Sequence, residues 1–359
     1  MFVYLVTLFL VAILSFIAQG CRWYDNDGIC GYMDNRNTRY KLFVFLTALI
    51  LILVAGLRYR VGTDYMNYAL GYENIKRTVW ASIKAFDEPG YKIVTILASK
   101  IYDDYAVMFF TLSLFTIGIN IKVIAKYSDD FFFAIMLYVL IGAWHGSFNA
   151  VRQYAAGAIL FAGHRYIFER KFWKFLLVVF VAFLFHRTAI VFLPIYFLAR
   201  DSINTKSIVL ILISTVVMTY GMDYVFQIMS YFKGTDQTAY AYMTTAVNPF
   251  RILVAFAPVF LVFFVPNDFR NNPENAFYFN MLIINAAFML VTSSSAYLAR
   301  VGIYTDIYAT IAFPKLIKAF NRKSQVILIL LILVLYSYFW IHEISVRESL
   351  STFRWIFSR

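Results

Sequence analysis

Leu42-Phe43-Val44-Phe45-Leu46-Thr47-Ala48-Leu49-Ile50-Leu51-Ile52-Leu53-Val54-Ala55-Gly56-Leu57 carries no charge, and Arg58-Tyr59-Arg60-Val61-Gly62-Thr63-Asp64-Tyr65 follows it at once. An apolar helix of about twenty residues crosses the roughly 30 Å of bilayer hydrocarbon, so this stretch reads as a membrane span closed by a compact polar turn. The rest of the chain repeats the pattern. Its 359 residues are 62% hydrophobic and 14% charged, with a mean hydropathy of +0.69, where soluble domains average nearer 45–50% apolar and 25% charged. An ordinary soluble domain is excluded, because so much apolar surface needs lipid as its solvent.

Working outward, apolar runs at 1–19, 42–57, 105–125, 130–144, 150–168, 172–185, 188–199, 206–222, 250–266, 277–295, 299–314 and 324–341 predict an all-α polytopic integral membrane protein with about 10–12 transmembrane helices. The whole of 1–359 reads as a single transmembrane domain. Runs 172–185 and 188–199 are short, and bending, polar extension or a joint re-entrant pair would each explain them. Residues 58–104 form an outer loop with an amphipathic helix at 91–101 introduced by Pro89-Gly90, and 223–249, rich in Tyr and Thr, form a second outer loop. The first run lacks a positively charged start and reads as a retained span, not a cleaved signal.

Lys and Arg number 32 against 20 Asp and Glu, a net +12. They stand singly or in small groups at the ends of apolar runs, where they set orientation and meet anionic headgroups, so nucleic acid is not an expected partner. The basic joints, clearest at His164–Lys174 and Lys315–Lys323, fall on one side if both chain ends lie outside. That orientation puts Cys21 and Cys30 inside as free thiols. It also brings Arg58, Arg60, Asp64, His145, Arg152, Gln153, His186, Arg187 and Arg300 to the outer face, where they can meet.

Charges within or beside spans are costly and mark functional candidates. Arg58 and Arg60, with Asp64 around a Gly turn, suit an anionic group, since Arg offers a bidentate fork to phosphate; snorkelling at a span end is the plainer reading. Asn149, Arg152 and Gln153 lie at i, i+3 and i+4, so a helix starting near Ser147 would aim all three from one face as an anion or sugar site, or as an interhelical contact. Between two short spans, His186 is a base able to take a proton from a sugar hydroxyl, and the adjacent Arg187 would keep it neutral; a simple interfacial turn would use the same residues. Tyr297, Arg300, Tyr304 and Tyr308 are spaced 3, 4 and 4, a sugar-stacking and phosphate-gripping face or part of an aromatic belt. Asp306 reads as an internal partner for one of these arginines. No Asp/Glu cluster, nucleotide-sugar motif or Gly-rich phosphate loop is present, so neither a metal nor a cofactor is expected.

Arg58-Tyr59-Arg60-Val61-Gly62-Thr63-Asp64-Tyr65-Met66-Asn67-Tyr68, Glu88-Pro89-Gly90-Tyr91, Phe148-Asn149-Ala150-Val151-Arg152-Gln153 and Phe185-His186-Arg187-Thr188-Ala189, in that order, resemble the motifs of the EpsG-like group of Wzy-type polysaccharide polymerases. The resemblance implies a polymerase of O-antigen, capsule or exopolysaccharide in the bacterial inner membrane, GT-C-like in architecture, with its polar cleft on the periplasmic or extracellular side. The growing glycan would move from undecaprenyl diphosphate to the non-reducing end of the next lipid-linked oligosaccharide repeat unit. Membrane lipid, a flippase and a chain-length regulator would be its partners. Carried over by motif, His186, Asp64 and Arg152 are the catalytic candidates, with Arg58, Arg60, Asn149, Gln153, Arg187, Arg300 and Tyr304 binding substrate. A ligase that moves finished glycan, a flippase or transporter, and a membrane acyltransferase are the rival classes; internal repeats would favour the transporter and a His within a span the acyltransferase.

Overall fold

The structure, a computed structural model, describes residues 1–24, 38–84, 87–201, 213, 248–293, 298–346 and 348–359. Run 206–222 apart from Ile213, nearly all of the 223–249 loop, Cys30 and Tyr297 lie outside the described residues. Five helices are long and apolar enough to cross a membrane: Phe2–Arg22, Thr38–Gly56, Tyr105–Tyr127, Pro273–Val291 and Arg322–Val346. Shorter apolar helical segments occur at Phe131–Leu140, Phe172–Phe185, Arg187–Ala199 and Pro249–Val262. Among the described residues there is no strand, only an isolated antiparallel bridge between Arg58 and Trp355. The protein is thus an all-α polytopic membrane protein.

Successive helices run between two ends of the bundle, and hydrogen bonds sort the joints. At one end the amino group of Met1 donates to Ser351 O (3.0 Å), Tyr59 N to Arg354 O (2.8 Å) and Gly62 N to Ser349 O (3.0 Å). At the opposite end Arg22 Nη1 donates to Ser128 O (2.8 Å), Tyr40 Oη to Ala125 O (3.1 Å) and Asn280 Nδ2 to Ala199 O (3.1 Å), while Lys315 pairs with Glu274 at 3.1 Å. His164, excluded from the site by sequence, is fully buried toward that opposite end, with its Nε2 2.7 Å from Tyr278 Oη.

The core is aromatic and spans the bundle. Trp144, fully buried, donates from Nε1 to Leu51 O (3.1 Å) and meets Tyr4 edge to face. A smaller core belongs to the 58–104 insertion. Its helices Tyr65–Arg77 and Pro89–Ile101 bury Tyr65, Tyr68, Tyr72 and Tyr91 against Met108, Phe109 and Leu112. Met66, Leu70, Ile93 and Leu97 stay exposed on the same helices.

Two expected helical faces are corrected by the backbone. The helix carrying Arg152 starts at Val151 with Ala150 as its N-cap, so Asn149 precedes it and does not share its face. Preceding it, Gly142 turns the chain at φ +93° and a short helix, Ala143–Gly146, ends before Ser147. The run 299–314 is not one α-helix either: Leu298–Tyr304 and Asp306–Tyr308 are 3₁₀ turns, and α-helix resumes at Ala309–Lys318. Thr305 explains the break, since its Oγ1 lies within hydrogen-bond distance of both Asn285 Oδ1 (2.7 Å) and Gly302 O (3.1 Å), competing with the regular helical pattern. At three residues per turn, positions four apart point in different directions. Arg300 therefore faces a pocket, Tyr304 reaches Thr188 (2.7 Å) and Tyr308 packs inward against Phe161 and Phe192.

Candidate functional site

Leu57 ends the second span, and the chain reverses through Arg60 at φ +51° and Gly62 at φ +105°. Gly62 is required twice over. Its φ suits a residue without Cβ, and a Cβ there would stand 2.8 Å from Phe148 O and 2.7 Å from Asn149 Oδ1. That approach lets Thr63 donate its N–H to Asn149 Oδ1 at 2.7 Å. Asn149 is thereby a brace between the 58–65 turn and the 148–153 segment.

The structure does not bring Arg58 or Arg60 into a pocket. Arg58 is buried, donating to Ala55 O and to Phe148 O (3.2 Å). Its guanidinium lies 4.8 Å from the ring centre of Phe109 and 4.9 Å from that of Phe148. Carbonyls and ring faces occupy the groups that were expected to grip phosphate. Arg60 is exposed and lies over Tyr59. Arg187 turns to Asp87, Nη2 to Oδ1 3.0 Å, outside the pocket.

Glu88, quoted within a motif but not selected as a site residue, joins the rest. It adopts φ +52° immediately before Pro89, which occupies the first turn of the following helix. Gly90 lets this corner dock, because a Cβ there would meet the Phe185 ring at 2.9 Å and Leu184 O at 3.0 Å. The buried Glu88 carboxylate accepts from Arg152 Nη1 through Oε2, and from His186 Nδ1 (2.5 Å) and Arg187 N (3.4 Å) through Oε1. Burial works to raise its pKa, but the His186 hydrogen bond and the Arg152 charge together outweigh that and hold it below the ordinary 4.5. An ionised carboxylate only accepts, so His186 Nδ1 carries a proton, and in the neutral ring Nε2 is the nitrogen left with the lone pair. The carboxylate that Arg152 lacks in its own segment comes from a loop 64 residues earlier. Arg152 also sits 5.5 Å from the ring centres of Tyr68 and Tyr91, fixed between aromatic faces.

Two cavities meet here. The smaller, about 400 Å³, is lined by Asp64, Asn67, Tyr68, Arg152, Gln153 and His186, together with Arg300. Gln153 donates to Arg300 O at 2.7 Å, and Asp64 Oδ2 lies 3.9 Å from Arg300 Nη2. The larger, about 940 Å³, has Thr63, Asn149, Arg251, Asp306 and Glu343 on its walls. Arg300 and Ala150 line both. Asp306 forms no ion pair with Arg58, Arg60, Arg152, Arg187 or Arg300, the arginines it was expected to serve, and its Oδ1 is buried with no hydrogen bond to any described residue. Tyr304 lines neither cavity and supports Thr188 beside His186.

The smaller pocket is therefore lined by two arginines and one histidine, an arrangement that can hold an anion and, with the imidazole neutral, accept a proton from a hydroxyl. Glu88 was legible only as a carboxylate beside Pro-Gly, because its partners lie 64 and 98 residues away. Among the described residues no three His, Cys, Asp or Glu side chains group as metal ligands. A model of the EpsG family matches residues 41–356. No curated protein and no solved structure matches the chain.

Proposed function

The chain belongs to the EpsG family and is a membrane protein of polysaccharide biosynthesis, and from that premise we propose that it is a polymerase acting on lipid-diphosphate-linked glycans. The observation that carries this reading is Glu88 coupling Arg152 and His186 on the wall of a pocket that Arg300 also lines. His186 Nε2 takes the proton from a hydroxyl at the non-reducing end of one lipid-linked repeat unit. The freed oxygen bonds to the anomeric carbon of the growing glycan, and the carbon–oxygen bond to undecaprenyl diphosphate breaks. Arg152 and Arg300 hold the diphosphate and stabilise the negative charge that leaves with it. Asp64 positions Arg300, and Glu88 keeps the His186 tautomer and the Arg152 fork in place.

The orientation of this reading follows from charge. Arg22, Arg39, Lys126, Arg165, Lys171 and Lys318 stand at the end opposite the pocket, and basic joints stay cytoplasmic. The site then opens outside a bacterial cell membrane. A ligase would share the donor chemistry and differ in acceptor, so the test must read chain length.

A glycan gel of cells lacking the gene, complemented with wild type, Arg152→Ala or Glu88→Gln, provides it. Single repeat units in place of a ladder are expected without the gene and with Arg152→Ala, with the protein still in the membrane. Removing one donor to a developing anion costs on the order of 10²–10³ in rate. An unchanged ladder in the deletion strain overturns the polymerase reading, and loss of all surface glycan points to a flippase or ligase.

A further inference from the structure

The larger cavity contains a carboxyl oxygen that nothing in the proposed reaction uses. Asp306 Oδ1 is buried and has no hydrogen-bond partner among the described residues, yet Asp306 lines a space of about 940 Å³. Around it stand side-chain amides of Asn149, Asn248 and Asn285, with Arg251 and Glu343 paired on one wall through Nη2 and Oε2 at 2.6 Å. Phe313, Tyr336 and Phe339 supply flat apolar faces in the same walls. Many aromatic surfaces with a few fixed polar groups are the lining of a site that orients a particular ligand.

We propose that this cavity is a saccharide subsite in which Asp306 accepts a hydrogen bond from a hydroxyl of the acceptor repeat unit. A polyprenyl chain is a poor occupant, because hydrocarbon against Asp306 would leave its buried Oδ1 without a partner. A sugar satisfies both sides, its hydroxyls meeting Asp306 and the amides while its C–H faces lie on the aromatic rings. Arg300 and Ala150, shared with the smaller pocket, put the end of such a unit beside His186. Asp306 is on this account a binding and positioning residue, not the base. The inference rests on the polymerase reading, and binding separates the two.

The probe is the oligosaccharide released by mild acid from the lipid-linked pool of the producing cells, titrated by calorimetry against the full chain in lipid nanodiscs. Wild type is expected to bind it, Asp306→Asn to retain most of the affinity, and Asp306→Leu to lose at least tenfold. Thermal unfolding of the same samples keeps the variant interpretable: Asp306→Leu removes an unpartnered buried oxygen and should unfold at the same or a higher temperature. A lower unfolding temperature would make Asp306 structural and overturn the proposal. Equal affinity in Asp306→Leu would overturn it too. So would an Asp306→Leu protein that still makes full-length polymer and retains more co-purifying polyprenyl phosphate, which would assign the cavity to lipid. If wild type fails to bind while the deletion strain still shows single repeat units, the subsite falls and the polymerase reading stands.

Discussion

Glu88 holds a non-glycine residue at φ +52° directly before a proline, a conformation that costs on the order of 1–3 kcal/mol and persists only where surroundings compel it. Its carboxylate contacts supply the compulsion. Glu88→Gly should relieve the backbone yet abolish the glycan ladder, because Arg152 and the His186 tautomer lose their common anchor; a normal ladder in that variant would remove Glu88 from the mechanism. The pH dependence follows from the lowered pKa. A carboxylate held below 4.5 contributes stability that is fully present above about 4.5 and is lost as pH falls through its folded value. Thermal midpoints of wild type should thus decline below about pH 4.5, with a shallower decline in Glu88→Gln. Gly62→Ala should destabilise by more than about 1 kcal/mol and reduce polymer length, since the added Cβ needs the space of Phe148 O and Asn149 Oδ1. At this scale Arg152, Gln153, His186 and Arg300 were legible as polar groups in expensive places. Glu88 was not, since a carboxylate in a polar insertion looks solvated until the chain folds over it. Arg58 misled for the opposite reason: Phe109 and Phe148, which surround it, come from segments far along the chain.

Helices Pro249–Val262 and Arg322–Val346 both wall the larger cavity. Arg251, Asn248 and Glu343 join them near the site end, and Tyr336 Oη donates to Val254 O at 2.8 Å. Removing one member of a buried ion pair leaves the other charge without compensation. Because Arg251 is half-buried and faces the cavity, Glu343→Leu should lower stability by about 1–3 kcal/mol, and Arg251→Leu/Glu343→Leu should recover most of it. Thermal unfolding of both variants checks this, and equal losses in single and double variants would show that the pair does not act as a unit. Hydropathy made most of the described apolar helices visible and their interruptions invisible. A 3₁₀ path through 298–308 depends on Thr305 meeting Asn285 from another helix, so no local period announces it.

Across the whole molecule, the pocket and the basic joints occupy opposite ends, and that separation can be tested directly. Asn67→Cys, beside the smaller pocket, should react with an impermeant thiol reagent on intact cells, while Lys171→Cys should react only after permeabilisation; the reverse pattern would put the site in the cytoplasm. That apolar helices cross the molecule was readable because lipid imposes length and composition together, but their lengths were not: among the described residues five of the twelve expected runs fall on helices long and apolar enough to span a membrane. The meeting of the joints was readable only as parity, and which side chains touch within them was not. The strap formed by Tyr59 N on Arg354 O and Gly62 N on Ser349 O adds a timetable. Its two halves are nearly three hundred residues apart, which at about 5–20 residues per second separates their synthesis by roughly 15–60 s. During that interval the early spans are already in the bilayer with the Arg58–Asp64 turn unclamped, and the turn can close only after the helix Arg322–Val346 has inserted. A nascent chain then holds the site unassembled, and a ribosome stalled before that helix leaves in the membrane a fragment whose turn has nothing to close against.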